Sequence, residues 1–258
     1  MAQVTAADKM AALTELGERF WSGEAEIARN FLTGATKPED HILWLKHQCY
    51  RELRGPGLLA RPRSRTAWFI DNVAKGLPFA ETREGRAELD QQIRQIHEEF
   101  THFRLYADIL EDISGEPVRM QELTDLELPS DKRIEEMRTR LFGEDERLAQ
   151  LAYGFAEGGG AGIFYAAAAL ETADPLLRRI RDAGRLIYDD EVGHGEHNAT
   201  SVEVADVSDE EYAQLKAMLI EICQERLRMR AEMHGSVILE ERIQEITDGK
   251  IEPLKPLA

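Results

Sequence analysis

Two short segments of this chain put a carboxylate and an imidazole three residues apart: Glu99-x-x-His102 and Glu191-x-x-His194. Side chains at i and i+3 of a helix are neighbours on one face. Each pair can therefore direct one oxygen and one nitrogen at a common point. Acid–base chemistry needs such pairs, and so does the binding of a divalent transition metal, for which imidazole and carboxylate are suitable ligands.

The flanking residues say where these pairs point. Leu89, Ile93, Ile96, Phe100, Phe103, Ala107 and Leu110 recur at steps of three and four, an apolar stripe on a helix. Glu99 lies on the flank of that stripe and His102 on the same side. A second stripe runs Leu176, Ile180, Ala183 and Ile187, and its next two positions are Glu191 and His194. Asp190, four residues before His194, reaches the same imidazole. A carboxylate on a core-facing stripe is costly unless it is paired or bound to a metal. Two Glu-x-x-His pairs, with one Glu from each of two further helices, are the ligand set of dinuclear iron and manganese bundles.

Glu157 is the third carboxylate, in Tyr153-Gly-Phe-Ala-Glu157-Gly-Gly-Gly-Ala-Gly162. Such a glycine run disfavours a helix, yet the chain resumes at once as the helical IFYAAAALE. Either the helix breaks there, or Gly158, Gly159 and Gly160 leave one thin wall beside the metals as a substrate cavity. The fourth carboxylate is expected to be Glu52, three residues after Cys49 on the Ile42, Leu45, Cys49 stripe. Asp71 and Glu24 are the alternatives. His197 is a further nitrogen ligand or an exposed residue. Glu98 and Asp190 can orient the histidines. Tyr106 and Tyr188 are rim or core tyrosines unless one is redox-active. His41, His47, His97 and His234 read as surface residues.

The elements that must carry these residues are all helical. Thr5 to Asp8 caps a helix running to about Leu32. Pro38 opens one to Arg54, a short one follows Pro62-Arg63, and a long one spans about Glu84 to Ile113. Residues 114–129 read as loop. Ser130-Asp131 caps a helix to Phe142, and another runs from Glu144 to Glu171. Asp174-Pro175 opens one reaching Val202. Ser208 to Glu211 is a capping box for a last, solvated packing helix to Ile246. The expectation is one all-α domain over 1–258, a bundle of seven or eight helices, with a loose tail from 248 to 258.

Composition limits the classes. The 258 residues carry a formal net charge of −17, which disfavours nucleic acid and anionic membranes as partners. Two cysteines make no disulfide framework. The absence of a leader-like start or a long apolar run leads to a cytoplasmic expectation.

Four segments carry a resemblance. GATKPEDHILWLKHQCYREL, HEEFTHFRLYADILEDISGEP, FAEGGGAGIFY and IYDDEVGHGEH are similar to the helices of the heme-oxygenase-like diiron oxidases, over roughly residues 30 to 240. That resemblance implies Glu52, Glu99, His102, Glu157, Asp190 and His194 as ligands. The segment Asp190-Glu191-Val-Gly-His194 also resembles the last bundle helix of ferritin-like diiron carboxylate proteins. AEGGGAGIFYAAAA resembles a helix of the ribonucleotide reductase small subunit, and Tyr106 then falls at the radical tyrosine. This runner-up implies a four-helix core with Glu191, rather than Asp190, as ligand.

The expected function is that of an O2-activating, non-heme dinuclear iron oxidase or oxygenase acting on a small organic substrate. Two Fe ions are expected, with Mn or Mn/Fe as alternatives, O2 as co-substrate, and an external electron donor. A homodimer is compatible with this reading. The competing classes are a ferroxidase or metal-binding protein without an organic substrate, and a metal-free structural bundle.

Overall fold

The structure, a computed structural model, describes residues 5–34, 36–59, 64–157, 159–198, 206–255 and 257; for 159, 160 and 192–198 it describes the backbone alone. Every regular element among the described residues is helical. No helix among them is long and apolar enough to cross a membrane.

Short-range chemistry sets most helix starts. In α1 (Ala6–Thr33) the Thr5 hydroxyl accepts from the Asp8 N–H, and the Asp8 carboxylate accepts from the Thr5 N–H at 3.0 Å. This capping box satisfies two donors that the helix cannot. α2 (Pro38–Arg54) has proline in its first turn, where the missing N–H costs nothing. Ser64 caps α3 (Arg65–Ala74), and a 3-10 turn follows at Pro78–Glu81. Thr82 caps α4 (Arg83–Ser114), which ends at Gly115 in the left-handed region.

The segment read as loop holds one short helix, α5 (Met120–Thr124). α6 (Pro129–Glu144) begins at its proline, so Asp131 accepts from the Leu128 N–H at 2.8 Å from inside the first turn. The next stretch is described as α7 (Glu146–Glu157) and α8 (Gly159–Ala168), with Gly158 between them outside the described residues. α9 (Pro175–Asn198) is capped as expected, with Asp174 Oδ1 accepting from Leu176 and Leu177. The expected single last helix is two, α10 (Asp209–Met233) and α11 (Glu240–Thr247). Gly235 takes φ +63° and the Ser236 N–H returns to the Ala231 carbonyl at 2.9 Å, a helix-stopping turn.

The chain divides into two compact units: residues 1–36 with 128–258, and residues 37–127. In the first, α1 packs on α8 and α10, and α10 on α6 and α7. Leu13, Phe20, Leu148, Leu215, Leu219 and Ile246 are among its fully buried side chains. Each such leucine contributes about 1.5–3 kcal/mol by leaving water. Ile251 of the tail packs against the same cluster.

Gly162 explains one part of the glycine-rich segment. A Cβ built there would lie 2.4 Å from the Trp21 carbonyl oxygen of α1. The bare backbone is what lets α8 approach α1 so closely. Gly162→Ala is expected to cost about 1–3 kcal/mol through forced separation of the two helices. Urea denaturation followed by circular dichroism measures it.

In the second unit α2 packs along α4, while α3 and the 3-10 turn cover part of the rest. Trp44 meets Tyr106 edge-on, and Glu52 lies near His102. Numbers rise on α2 as they fall on α4, so the two helices run antiparallel. The expected α4 stripe holds only in part. Leu89, Phe103, Ala107 and Leu110 are buried, but Ile93 is 48% and Phe100 49% exposed. A stripe is buried only where another element lies over it, and α2 covers the C-terminal half of α4.

Candidate metal centre

The α2–α4 contact brings together three of the residues expected to bind metal. Glu52 sits in the last turn of α2; Glu99 and His102 sit one turn apart on α4. Each offers a ligand atom, and the three atoms lie within 4.8 Å of one another. Nδ1 of His102 is 3.9 Å from Oε2 of Glu52. That gap is too long for a hydrogen bond. It is within the span of two donors that each bond one ion at about 2.0–2.2 Å.

The pocket is dry. His102 is fully buried, Glu52 is buried and Glu99 half-buried. Two carboxylates so close in a low-dielectric site repel each other, and a divalent cation would balance both charges. Glu52 keeps one oxygen tied: Gln48, one turn earlier on α2 and itself buried, donates from Nε2 to Oε1 at 2.5 Å. The Cys49 thiol is not a donor here. Burial, with the Glu52 charge adding to it, pushes it far above its ordinary range, and it stays a neutral wall. Tyr106, one turn beyond His102, is buried against Trp44 with ring centroids 5.7 Å apart.

The two alternatives to Glu52 are occupied elsewhere. Asp71 is exposed on α3 and pairs with Lys75 at 2.5 Å. Glu24 is buried in the first unit between Arg226 and Arg230, at 2.8 and 2.7 Å. Burial pushes the Glu24 carboxyl up, but the two guanidiniums together overcome that and hold it below the usual carboxylate range.

The second expected ligand set lies in the first unit. Glu157 is the exposed last residue of α7, and its charge acts on Arg226. On α9, Asp190 is exposed, whereas Glu191 is half-buried and follows the buried Ile180, Ala183 and Ile187. His194 and His197 belong to the helical backbone of α9, but their side chains lie outside the described residues, as does Gly158. Gly159 and Gly160 open α8, and their surroundings lie outside the description too.

Three histidines read as surface residues are buried: His41, His47 and His234. His41 and His47 lie on α2 and are shut in by its packing. His234 ends α10, where its Nδ1 is 2.6 Å from the Arg230 carbonyl and its ring meets Phe31 edge-on. His97 is exposed, as expected. Sequence reasoning missed Gln48. Its spacing of four before Glu52, beside the Leu45 and Cys49 stripe, was the available signal.

Comparison with protein-family models, with curated proteins and with solved structures returns no match to this chain. The chemistry of the site therefore rests on the residues themselves.

Proposed function

We propose that this chain is a non-heme iron oxidase that uses O2 to oxidise a small organic molecule. The observation that supports it most is the convergence of Glu52, Glu99 and His102 inside the second unit, two carboxylates and one imidazole whose ligand atoms lie within 4.8 Å of one another. This donor set suits Fe(II) or Mn(II). Iron, when bound, supplies the electrons that dioxygen must receive.

The chain's own residues do the rest. Glu52 and Glu99 neutralise the ion, and His102 supplies the single imidazole nitrogen of the trio. The burial of Glu52 and His102 lowers the local dielectric, which strengthens the charge interactions between them and a bound ion. The sequence calls for a second ligand set, Glu157, His194 and one of Asp190 and Glu191. We assign Glu191 to it, because it continues the buried side of α9 and Asp190 faces solvent. Gly158, Gly159 and Gly160 are the proposed substrate wall.

Anaerobic loading with Fe(II), followed by mixing with O2 and recording of oxygen uptake, tests the reading. Uptake stoichiometric with bound iron is expected. Glu191→Ala should slow it and Asp190→Ala should leave it unchanged. Iron that binds but takes up no O2, even with an added reductant, would contradict an oxidase.

A further inference from the structure

We propose that Gln48 is the positioning residue of the metal centre, fixing which oxygen of Glu52 is offered to the ion. This rests on the reading of Glu52, Glu99 and His102 as metal ligands.

A free carboxylate at the end of a glutamate side chain has two equivalent oxygens and a soft terminal torsion. Glu52 is not in that condition. Its Oε1 accepts from Gln48 Nε2 at 2.5 Å, and its Oε2 is the oxygen that approaches His102 Nδ1 at 3.9 Å. One oxygen is thus held by the amide and the other is turned toward His102. The donor is well placed for this. Gln48 is 2% exposed and lies one helical turn before Glu52. The antiparallel α2–α4 register carries Glu52 to His102 and Trp44 to Tyr106, and Gln48 falls between those two contacts along α2.

The direction of the amide is also determined. A carboxylate oxygen can only accept, so the group 2.5 Å from it must be the N–H side; the carbonyl side would repel it. The consequence is that Gln48 Oε1 is buried with no hydrogen-bond partner among the described residues. Buried polar groups are normally satisfied, and an exception calls for a reason. Here the reason is that the amide is turned for Glu52 rather than for its own carbonyl. Metal ligands are commonly oriented by such hydrogen bonds from behind, and removing one typically weakens metal binding about 10–100-fold.

Titration with Co(II) of the full chain, followed by its visible absorption, tests this in wild type, Gln48→Met, Gln48→Asn and Glu52→Ala. Met keeps the length and loses the donor; Asn keeps the amide but falls one methylene short. Both should bind Co(II) about 10–100-fold more weakly than wild type, with a shifted ligand-field spectrum. Circular dichroism of the metal-free proteins should stay close to wild type, while the urea midpoint falls by the cost of an unsatisfied buried acceptor. Glu52→Ala should lose the spectrum altogether. If Glu52→Ala loses the spectrum while either folded Gln48 variant matches wild type in affinity and spectrum, Gln48 does not position the ligand. If wild type itself binds no Co(II), the metal reading fails, and the positioning role with it.

Discussion

Replacing His102 by alanine should remove metal binding while the chain stays folded. The loss in affinity should exceed the roughly 10–100-fold that attends loss of a hydrogen bond behind a ligand, because a coordinating nitrogen itself disappears. His102 is fully buried at the α2–α4 contact, so the substitution also leaves a small void. That void should cost about 1–3 kcal/mol, a typical loss for a single core change. The helical content should remain near wild type. Glu99→Ala should show the same metal loss with a smaller change in stability, since Glu99 is only half-buried. Isothermal titration with Mn(II) or Co(II), beside a urea melt of the metal-free proteins, separates the two effects. Equal affinity in wild type and His102→Ala would remove His102 from the centre.

Glu24→Ala should be the most destabilising substitution in the first unit. Glu24 accepts from Arg226 at 2.8 and 3.3 Å and from Arg230 at 2.7 Å, and both the carboxylate and Arg230 are buried. Breaking a buried ion pair by removing one partner costs about 3–5 kcal/mol, because the other charge stays behind uncompensated. For a chain of this size that corresponds to a fall in melting temperature of roughly 2–4 °C per kcal/mol. Replacing Glu24, Arg226 and Arg230 together by apolar residues of similar volume should recover most of the loss. A triple variant as unstable as Glu24→Ala would place the cost in packing rather than charge.

The same trio makes stability depend on pH. The Glu24 carboxyl in the folded chain lies below its ordinary value of 4.5, despite burial, owing to Arg226 and Arg230. A lowered folded-state pKa means that the unfolded chain binds the proton more readily. The contribution is therefore complete above pH 4.5 and lost as the pH falls through the folded-state pKa, which lies below that value. Urea midpoints taken from pH 6 downward should fall more steeply in wild type than in the triple apolar variant.

Local features were legible in the sequence because they depend on a few adjacent residues. Thr5 with Asp8, Asp174 with Pro175 and Ser208 with Glu211 cap helices where the sequence put them. The first half of the candidate site was legible for a related reason. Glu52, Glu99 and His102 each interrupt or flank an apolar stripe, and a polar group there needs a partner. What was not legible depends on which helix covers which. Ile93 and Phe100 repeat with the period of a core stripe, yet they remain exposed because the stripe does not reveal where its cover ends. His41 and His47 look like surface residues in a charged helix and are buried. Glu24 resembles a candidate metal ligand in the sequence because it lies near a stripe. Its arginine partners are some 200 residues away in sequence, on a helix that read as solvated. Gly235 ends α10 with a left-handed turn that the strong helical composition around it had hidden.

The most direct measurement is elemental analysis of the purified chain after loading in turn with Fe, Mn, Zn and Co and exhaustive desalting. Wild type should retain iron or manganese, and the His102→Ala chain should retain none. Two ions per chain would match the paired Glu-x-x-His ligand sets, whereas one would confine the centre to Glu52, Glu99 and His102. A wild-type chain that is folded by circular dichroism and keeps none of the four metals would contradict the account.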